Sequence, residues 1–213
     1  MTPQEASLKT AEICRLAPVV PVLVIDDVAS ARPLAEALVA GGLPALEVTL
    51  RTPVALDAIR EMSKVEGGVV GAGTLLTPED VAAAKAAGAR FGVSPGATDR
   101  LLDACEAQDL PLLPGAATAS EAMALLERGY TTLKFFPAEA AGGAAALKGI
   151  GAPIPQIKFC PTGGVTPQNA PTYLGLSNTI CVGGSWVAPA KLVAAGDWKA
   201  IEELAREAAA LSA

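Results

Sequence analysis

The sequence contains no histidine among its 213 residues. Many serine and cysteine nucleophiles rely on a histidine base, and many zinc sites rely on imidazole ligands. This absence excludes both kinds of site. General acid–base chemistry therefore falls to carboxylates, lysines or tyrosines.

Other scarcities narrow the class of protein. Basic side chains are outnumbered 16 to 22 by acidic ones, for a net charge of −6, which argues against a nucleic-acid binder. No apolar run reaches the length of about 18 residues that a membrane span needs. The first residues lack a signal-peptide pattern, and the four cysteines form no CxxC pair. We expect a reduced, cytoplasmic protein with no nucleic-acid or membrane partner and no metal site.

What the sequence does have is a series of eight short apolar runs, most ending in glycine, proline or serine. They occupy 19–25, 45–50, 68–73, 90–96, 110–115, 131–139, 156–164 and 178–185. Alanine-rich amphipathic stretches separate them, and we expect capping hydroxyls at Ser30, Thr77 and Thr118 to begin three of these helices. The alternation predicts a (β/α)₈ TIM barrel as one domain over 1–213, with an extra helix before residue 18.

A lysine stands in one of the predicted buried strands. Burying the ammonium of Lys134 costs several kcal/mol unless the site neutralises or pairs it, and a neutral amine is a nucleophile toward carbonyl groups. On another strand, alternation places Glu47, Thr49 and Arg51 on one face, with Glu47 deeper and Arg51 at the rim. A purely structural Lys134–Glu47 ion pair is the alternative. Lys158 comes early in its strand, so we expect it at the barrel bottom or facing outward.

Glycine-rich segments follow the last two predicted strands, at 161–169 and 183–186. In this architecture the loops after strands seven and eight often bind phosphate through backbone amides. Thr162 and Ser185 could add hydroxyl donors there. At other strand ends, Thr74 is placed to donate a hydrogen bond into the barrel mouth and Pro95 to shape its wall.

Taken together, the motifs "LEVTLRT", "GAGT", "SPG", "KFFPAE", "FCPTGG" and "GGSW" resemble the 2-keto-3-deoxy-6-phosphogluconate (KDPG) aldolase / 4-hydroxy-2-oxoglutarate (KHG) aldolase family. These are class I aldolases, which work through a lysine Schiff base. The motifs occur in the family's order, and the likeness runs from about residue 12 to residue 207. The resemblance implies cleavage of KDPG to pyruvate and glyceraldehyde 3-phosphate in the Entner–Doudoroff pathway, without a cofactor.

The resemblance also assigns roles to single residues. It makes Lys134 the Schiff-base lysine and Glu47 the general acid/base, with Arg51 and Thr74 on the pyruvate carboxylate. The implied phosphate loop and pocket wall comprise Gly163, Gly164, Gly184, Ser185, Thr162, Phe136 and Pro95.

Several alternatives stay open at this point. Thr162 resembles the phosphogluconate branch rather than the phosphogalactonate branch, while KHG is a second substrate in the family. Asp26 and Asp27 end strand one, where some relatives carry a basic residue, so Arg51 would supply the positive charge alone. The family implies a homotrimer. Remoter alternatives are a phosphosugar isomerase using Glu47 as base and a non-catalytic assembly scaffold.

Overall fold

A computed structural model describes residues 1–211 as an α/β fold in which parallel strands alternate with helices. This confirms the predicted class and the positions of the predicted strand runs, each of which contains a strand. The strands are β1 (Val19–Leu23), β2 (Ala45–Thr49), β3 (Val69–Gly73), β4 (Phe91–Val93), β5 (Leu112–Leu113), β6 (Gly115–Ala116), β7 (Thr132–Phe135), β8 (Lys158–Pro161) and β9 (Val182–Gly184).

Helices follow most of these strands and cover the outer side of the sheets. Within residues 1–211 none of them is both long enough and apolar enough to cross a membrane. They are α1 (Pro3–Cys14), α2 (Val28–Ala40), α3 (Ala55–Met62), α4 (Pro78–Ala86), α5 (Asp99–Ala107), α6 (Ala119–Arg128), α7 (Gly143–Gly151), α8 (Ala170–Leu174), α9 (Ala190–Ala195) and α10 (Trp198–Ala209).

The strands form two parallel sheets, with orders β5-β4-β3-β2-β1-β9 and β6-β7-β8. Pro114 alone separates β5 from β6. A proline has no N–H for the ladder, which accounts for the division of the fifth predicted run into two strands. Single bridges, Phe159 to Thr179 and Thr162 to Gly183, link β8 with the segment that contains β9.

The predicted extra helix is confirmed as α1, which Thr2 begins with a capping box completed by Glu5. The helix lies against the amino end of β7. There, Ser7 Oγ accepts hydrogen bonds from the backbone N–H groups of Thr131 and Thr132, at 2.8 and 2.9 Å. One serine thus satisfies two backbone donors at the start of the strand that carries Lys134.

Side-chain caps set the starts of several helices. Thr77 and Thr118 form the predicted capping boxes of α4 and α6. The prediction for α2 was wrong, because its N-cap is Asp27 and not Ser30. The Asp27 carboxylate accepts from the N–H of Ala29 at 3.0 Å, so the helix begins earlier and the Ser30 hydroxyl donates back to the Asp27 carbonyl. An aspartate caps as well as a serine, and here it comes first in the chain.

The core has two parts. A large apolar cluster fills the space around the strands and helices, and a smaller one holds Cys14, Cys160 and Cys181 with five apolar residues. All four cysteines are free and buried. Burial raises the pKa of Cys105 to about 12, while hydrogen bonds with Cys14 and Cys160, followed by burial, raise the pKa of Cys181. These two thiols therefore stay protonated at neutral pH and pack as small apolar groups.

We expect Ser7→Ala to lower the free energy of unfolding by about 1–3 kcal/mol, because two largely buried N–H groups lose their acceptor. Urea denaturation monitored by circular dichroism measures the change. Ser120→Ala is the matched control, since Ser120 is an exposed serine in α6 whose hydroxyl bonds none of the described residues. Equal stability of the two variants would contradict the proposed role of Ser7.

Candidate active site

An ion pair between two buried side chains forms the centre of the candidate site. Lys134 on β7 and Glu47 on β2 approach to 3.2 Å between Nζ and Oε1. Their side chains are only 6% and 3% exposed. Because water is largely excluded from this position, each charge is compensated by the other. The site therefore keeps an amine and a carboxylate in contact in an apolar interior.

Small neighbours make room for this pair. In the strand register, Lys134 lies between Gly115 on β6 and Cys160 on β8. Glu47 packs against Gly73 of β3, where an added Cβ would lie only 2.7 Å from the glutamate Cγ. The aromatic neighbour is Phe136, whose ring centre is 5.3 Å from Lys134 Nζ. The pair is therefore enclosed on several sides, with an aromatic face toward the amine.

A cavity of about 260 Å³ opens above Phe136 at the carboxyl ends of the strands. Arg51 lines it, and the Arg51 Nε donates to Thr74 Oγ1 at 3.3 Å. Thr74 has a φ of 63°, a conformation that a β-branched residue rarely adopts. Such an outlier points to a functional constraint, here a hydroxyl turned toward the arginine. The residues that line the cavity are Val22, Val24, Arg51, Phe136, Thr162, Gly163, Gly164, Val165, Gly183, Gly184 and Ser185.

The opposite side of this cavity is built from backbone. Gly163 and Gly164 have φ values of 101° and 80°, which favour glycine. Within residues 1–211 the N–H groups of Gly164 and Ser185 have no hydrogen-bond acceptor, whereas that of Gly163 faces the Gly183 carbonyl in the Thr162–Gly183 bridge. Unpaired amides that line one cavity form a site for an anion. Thr162 is buried, and its hydroxyl donates to the Cys160 carbonyl at 3.4 Å rather than to the loop.

The structure brings most of the predicted site residues together. Lys134 and Glu47 do not line the cavity, and Lys134 adjoins it through Phe136, whose ring centre is 5.3 Å from Nζ. Thr74 adjoins the cavity through Arg51. Pro95 is also outside the lining set, with its backbone against Gly115. The sequence did not suggest four lining residues: Val22, Val24, Val165 and Gly183. Their position at strand ends, where barrel sites form, was the available signal.

The structure also shows where Lys158 and the pair Asp26 and Asp27 lie. Lys158 begins β8 and donates to the Ser177 carbonyl at 2.7 Å, away from the cavity, as expected. Asp26 and Asp27 line an adjoining cavity of about 590 Å³ beside Trp186, which shares Val22, Val24 and Ser185 with the first cavity. No cluster of three or more acidic or cysteine side chains in the described part of the chain could hold a metal ion.

We expect Gly73→Ala to displace the Glu47 side chain and to destabilise the fold, since the new methyl group would overlap the Glu47 carboxylate and leave Lys134 unpaired. A loss of about 3–5 kcal/mol is expected from breaking a buried pair. Chemical denaturation provides the measurement.

Gly149→Ala is the control for that variant. Gly149 lies within α7, and an added Cβ meets nothing within 4 Å. There alanine should stabilise the helix by about 0.5–1 kcal/mol. A Gly73→Ala protein as stable as the control would contradict the packing described for Glu47.

Comparison with known proteins gives consistent matches over nearly the whole chain. The family model for KDPG and KHG aldolases matches residues 10–204. The chain is 54% identical over 194 residues to a 2-dehydro-3-deoxy-phosphogluconate aldolase of Pseudoalteromonas atlantica, covering 91% of this chain and 90% of the relative.

Solved structures agree with that match. The KDPG aldolase of Zymomonas mobilis with 3-phosphoglycerate gives a TM-score of 0.92 at 51% identity, covering 97% of each chain. The KDPG aldolase of Legionella pneumophila, with pyruvate captured at low pH as a covalent carbinolamine, gives 0.91 at 47% identity, covering 94% of this chain and 98% of that one.

Proposed function

The chain belongs to the KDPG and KHG aldolase family, and we propose that it cleaves KDPG to pyruvate and glyceraldehyde 3-phosphate through a Schiff base on Lys134. The observation that carries this proposal is the contact between Lys134 and Glu47 beside Phe136, a residue that lines the cavity. An amine paired with a carboxylate supplies both a nucleophile and a proton acceptor.

The cavity fits an acid with an anionic group at each end. We assign the carboxylate of the keto acid to Arg51 and Thr74, because the guanidinium offers a planar set of donors. The distal phosphate is assigned to the amides of Gly164 and Ser185, with Gly163, Gly184 and Thr162 shaping the loop. With both ends held, the keto carbon is oriented toward Lys134, past Phe136.

The first stage forms the covalent intermediate. Glu47 takes a proton from the Lys134 ammonium, and the neutral amine attacks C2 of KDPG. As the C–N bond forms, the π bond of the C2 carbonyl breaks, and a second proton of the amine passes to its oxygen to give the carbinolamine. The carbinolamine hydroxyl then leaves as water, with a proton returned by Glu47. The product is a protonated imine, which withdraws electrons from the adjacent C3.

The second stage breaks the carbon–carbon bond. Glu47 takes the proton of the C4 hydroxyl, directly or through a water, as the electrons of the C3–C4 bond move into the iminium. Glyceraldehyde 3-phosphate leaves, and an enamine of pyruvate stays on Lys134. Glu47 returns the proton to C3, and hydrolysis of the imine releases pyruvate and the amine.

We extend the proposal to the architecture. The two sheets are taken as one closed (β/α)₈ barrel over a single domain, supported by the one-residue gap at Pro114 and the bridges between β8 and β9. A homotrimer and a cytoplasmic location follow from the family resemblance and stay predictions. KHG is the second candidate substrate, since the matching family includes KHG aldolases.

Replacing Lys134 should remove the nucleophile. We expect Lys134→Met to lower kcat for KDPG cleavage by more than about a thousandfold, since no lysine of residues 1–211 lines the cavity. Borohydride reduction with pyruvate, followed by peptide mass mapping, should place a pyruvyl adduct on Lys134 of the unaltered protein.

Lys158→Met is the matched control, because Lys158 lies on the neighbouring strand but points away from the cavity. This variant should keep its activity and its adduct. Normal turnover by Lys134→Met, or bound pyruvate without an adduct, would overturn the Schiff-base assignment and favour an isomerase.

Arg51→Lys tests the carboxylate site. Lysine keeps the charge but loses the planar donor set, so we expect pyruvate binding to weaken about tenfold and the KM for KDPG to rise. Calorimetric titration with pyruvate and steady-state kinetics measure the two effects. A fall in kcat with unchanged pyruvate affinity would assign Arg51 to the chemical step instead.

A further inference from the structure

The chain has two tyrosines, and each is buried and donates its hydroxyl hydrogen to a glutamate. Tyr130 donates to Glu106 at 3.1 Å, beyond the amino end of β7. Tyr173 of α8 donates to Glu139, close to the glycine loop of the candidate site. Glu139 ends the motif "KFFPAE", and the proposed mechanism gives it no role.

Glu139 lies directly against the loop that carries the unpaired Gly164 amide. Its backbone N–H donates to the Gly163 carbonyl at 3.0 Å. A Cβ added to Gly164 would lie 2.7 Å from Glu139 Cγ and 2.8 Å from its Cβ. The side chain therefore packs on the Gly164 backbone, and any movement of Glu139 moves a wall of the anion site.

Tyr173 fixes where the Glu139 carboxylate lies. A Cβ on Gly143, the first residue of α7, would be 3.5 Å from Glu139 Oε1 and 3.6 Å from the Tyr173 hydroxyl. The carboxylate thus lies at the amino end of α7, where the helix dipole favours a negative charge. Burial, and next the hydrogen bond with Glu139, raise the pKa of Tyr173, so its hydroxyl remains a donor at neutral pH.

The other side of the loop is held by Asn169. Its Nδ2 donates to the Gly164 carbonyl at 3.1 Å, and its Oδ1 accepts from the Thr166 N–H at 2.7 Å. Gly164 is therefore held between Asn169 on one side and Glu139 on the other. On the Glu139 side the support also involves Tyr173, because this buried tyrosine donates its hydroxyl hydrogen to the Glu139 carboxylate.

We propose that Tyr173 and Glu139 are positioning residues for the phosphate end of the substrate, acting through the Gly163–Gly164 loop. The inference rests on the proposed function. The hydrogen bond has two effects: it keeps the Gly164 amide preorganised for an anion, and it keeps a negative carboxylate turned away from the position of the phosphate. Both effects act at the phosphate on C6 of KDPG, whereas the second carboxylate of 4-hydroxy-2-oxoglutarate is attached directly to C4 and ends short of that position.

The test compares two substrates in one protein. For Tyr173→Phe we expect the ratio of kcat/KM for KDPG to kcat/KM for KHG to fall about tenfold, the effect of losing one interaction in a binding site. The fall should come from a higher KM for KDPG, with kcat for KDPG little altered. A general loss of structure would lower kcat/KM for both substrates by the same factor and leave the ratio unaltered.

Tyr130→Phe is the matched control. It removes the other buried tyrosine–glutamate hydrogen bond, at a distance from the cavity, and should leave the substrate ratio at the value of the unaltered protein. If Tyr173→Phe also leaves the ratio unaltered while the unaltered protein cleaves KDPG, the positioning role is wrong. If the unaltered protein cleaves neither substrate, the proposed function itself fails.

Exposed Glu139 gives a second pair of variants that do not disturb the core. Glu139→Ala removes the packing and the acceptor, so it should lower the substrate ratio about tenfold as well. Glu139→Gln keeps the methylenes and an oxygen that accepts from Tyr173, so it should restore the ratio. The inference is overturned if Glu139→Ala leaves the substrate ratio unaltered. It is also overturned if the ratio of Glu139→Gln is as low as that of Glu139→Ala.

Discussion

The burial of one positive and one negative charge constrains the rest of the site. Lys134 and Glu47 come from different sheets and are 87 residues apart in the chain. Neither can be removed alone without leaving an uncompensated charge in an apolar interior. The pair therefore fixes how β2 faces β7, and it explains the small residues around it, Gly73, Gly115 and Cys160, since bulkier neighbours would separate the two groups.

The site is divided by depth. Covalent chemistry is assigned to the enclosed level of Lys134, and recognition of the two anionic ends to the open level above it. Among the described residues that line this upper level, a single side chain, Arg51, is positively charged, and the opposite end is formed from backbone amides. A backbone site carries no formal charge, so its affinity depends on the geometry of the loop and on the residues that hold it, which include Glu139 and Asn169.

Local patterns predicted the α/β class and the positions of the strands, and they named seven of the residues that line the cavity. Apolar runs located the strands because buried parallel strands must be apolar on both faces, and Thr118 with Glu121 gave its helix start directly. The prediction chose Ser30 as the cap of α2 and was wrong, because Asp27, three residues earlier, is equally suited to cap a helix. The support of the loop by Tyr173 was not predictable, because Tyr173 and Glu139 are 34 residues apart and meet only in the folded chain.

The position of α1 imposes an order on folding during synthesis. Ser7 bonds the backbone of residues 131 and 132, which are made 124 and 125 residues later. At about 5–20 residues per second, the ribosome takes on the order of ten seconds to deliver that partner. The helix α1 therefore docks on β7 only after the strands β1 to β6 have left the ribosome. Until then its inward-facing residues, Ala6, Ala11 and Cys14, are accessible to chaperones that bind nascent chains.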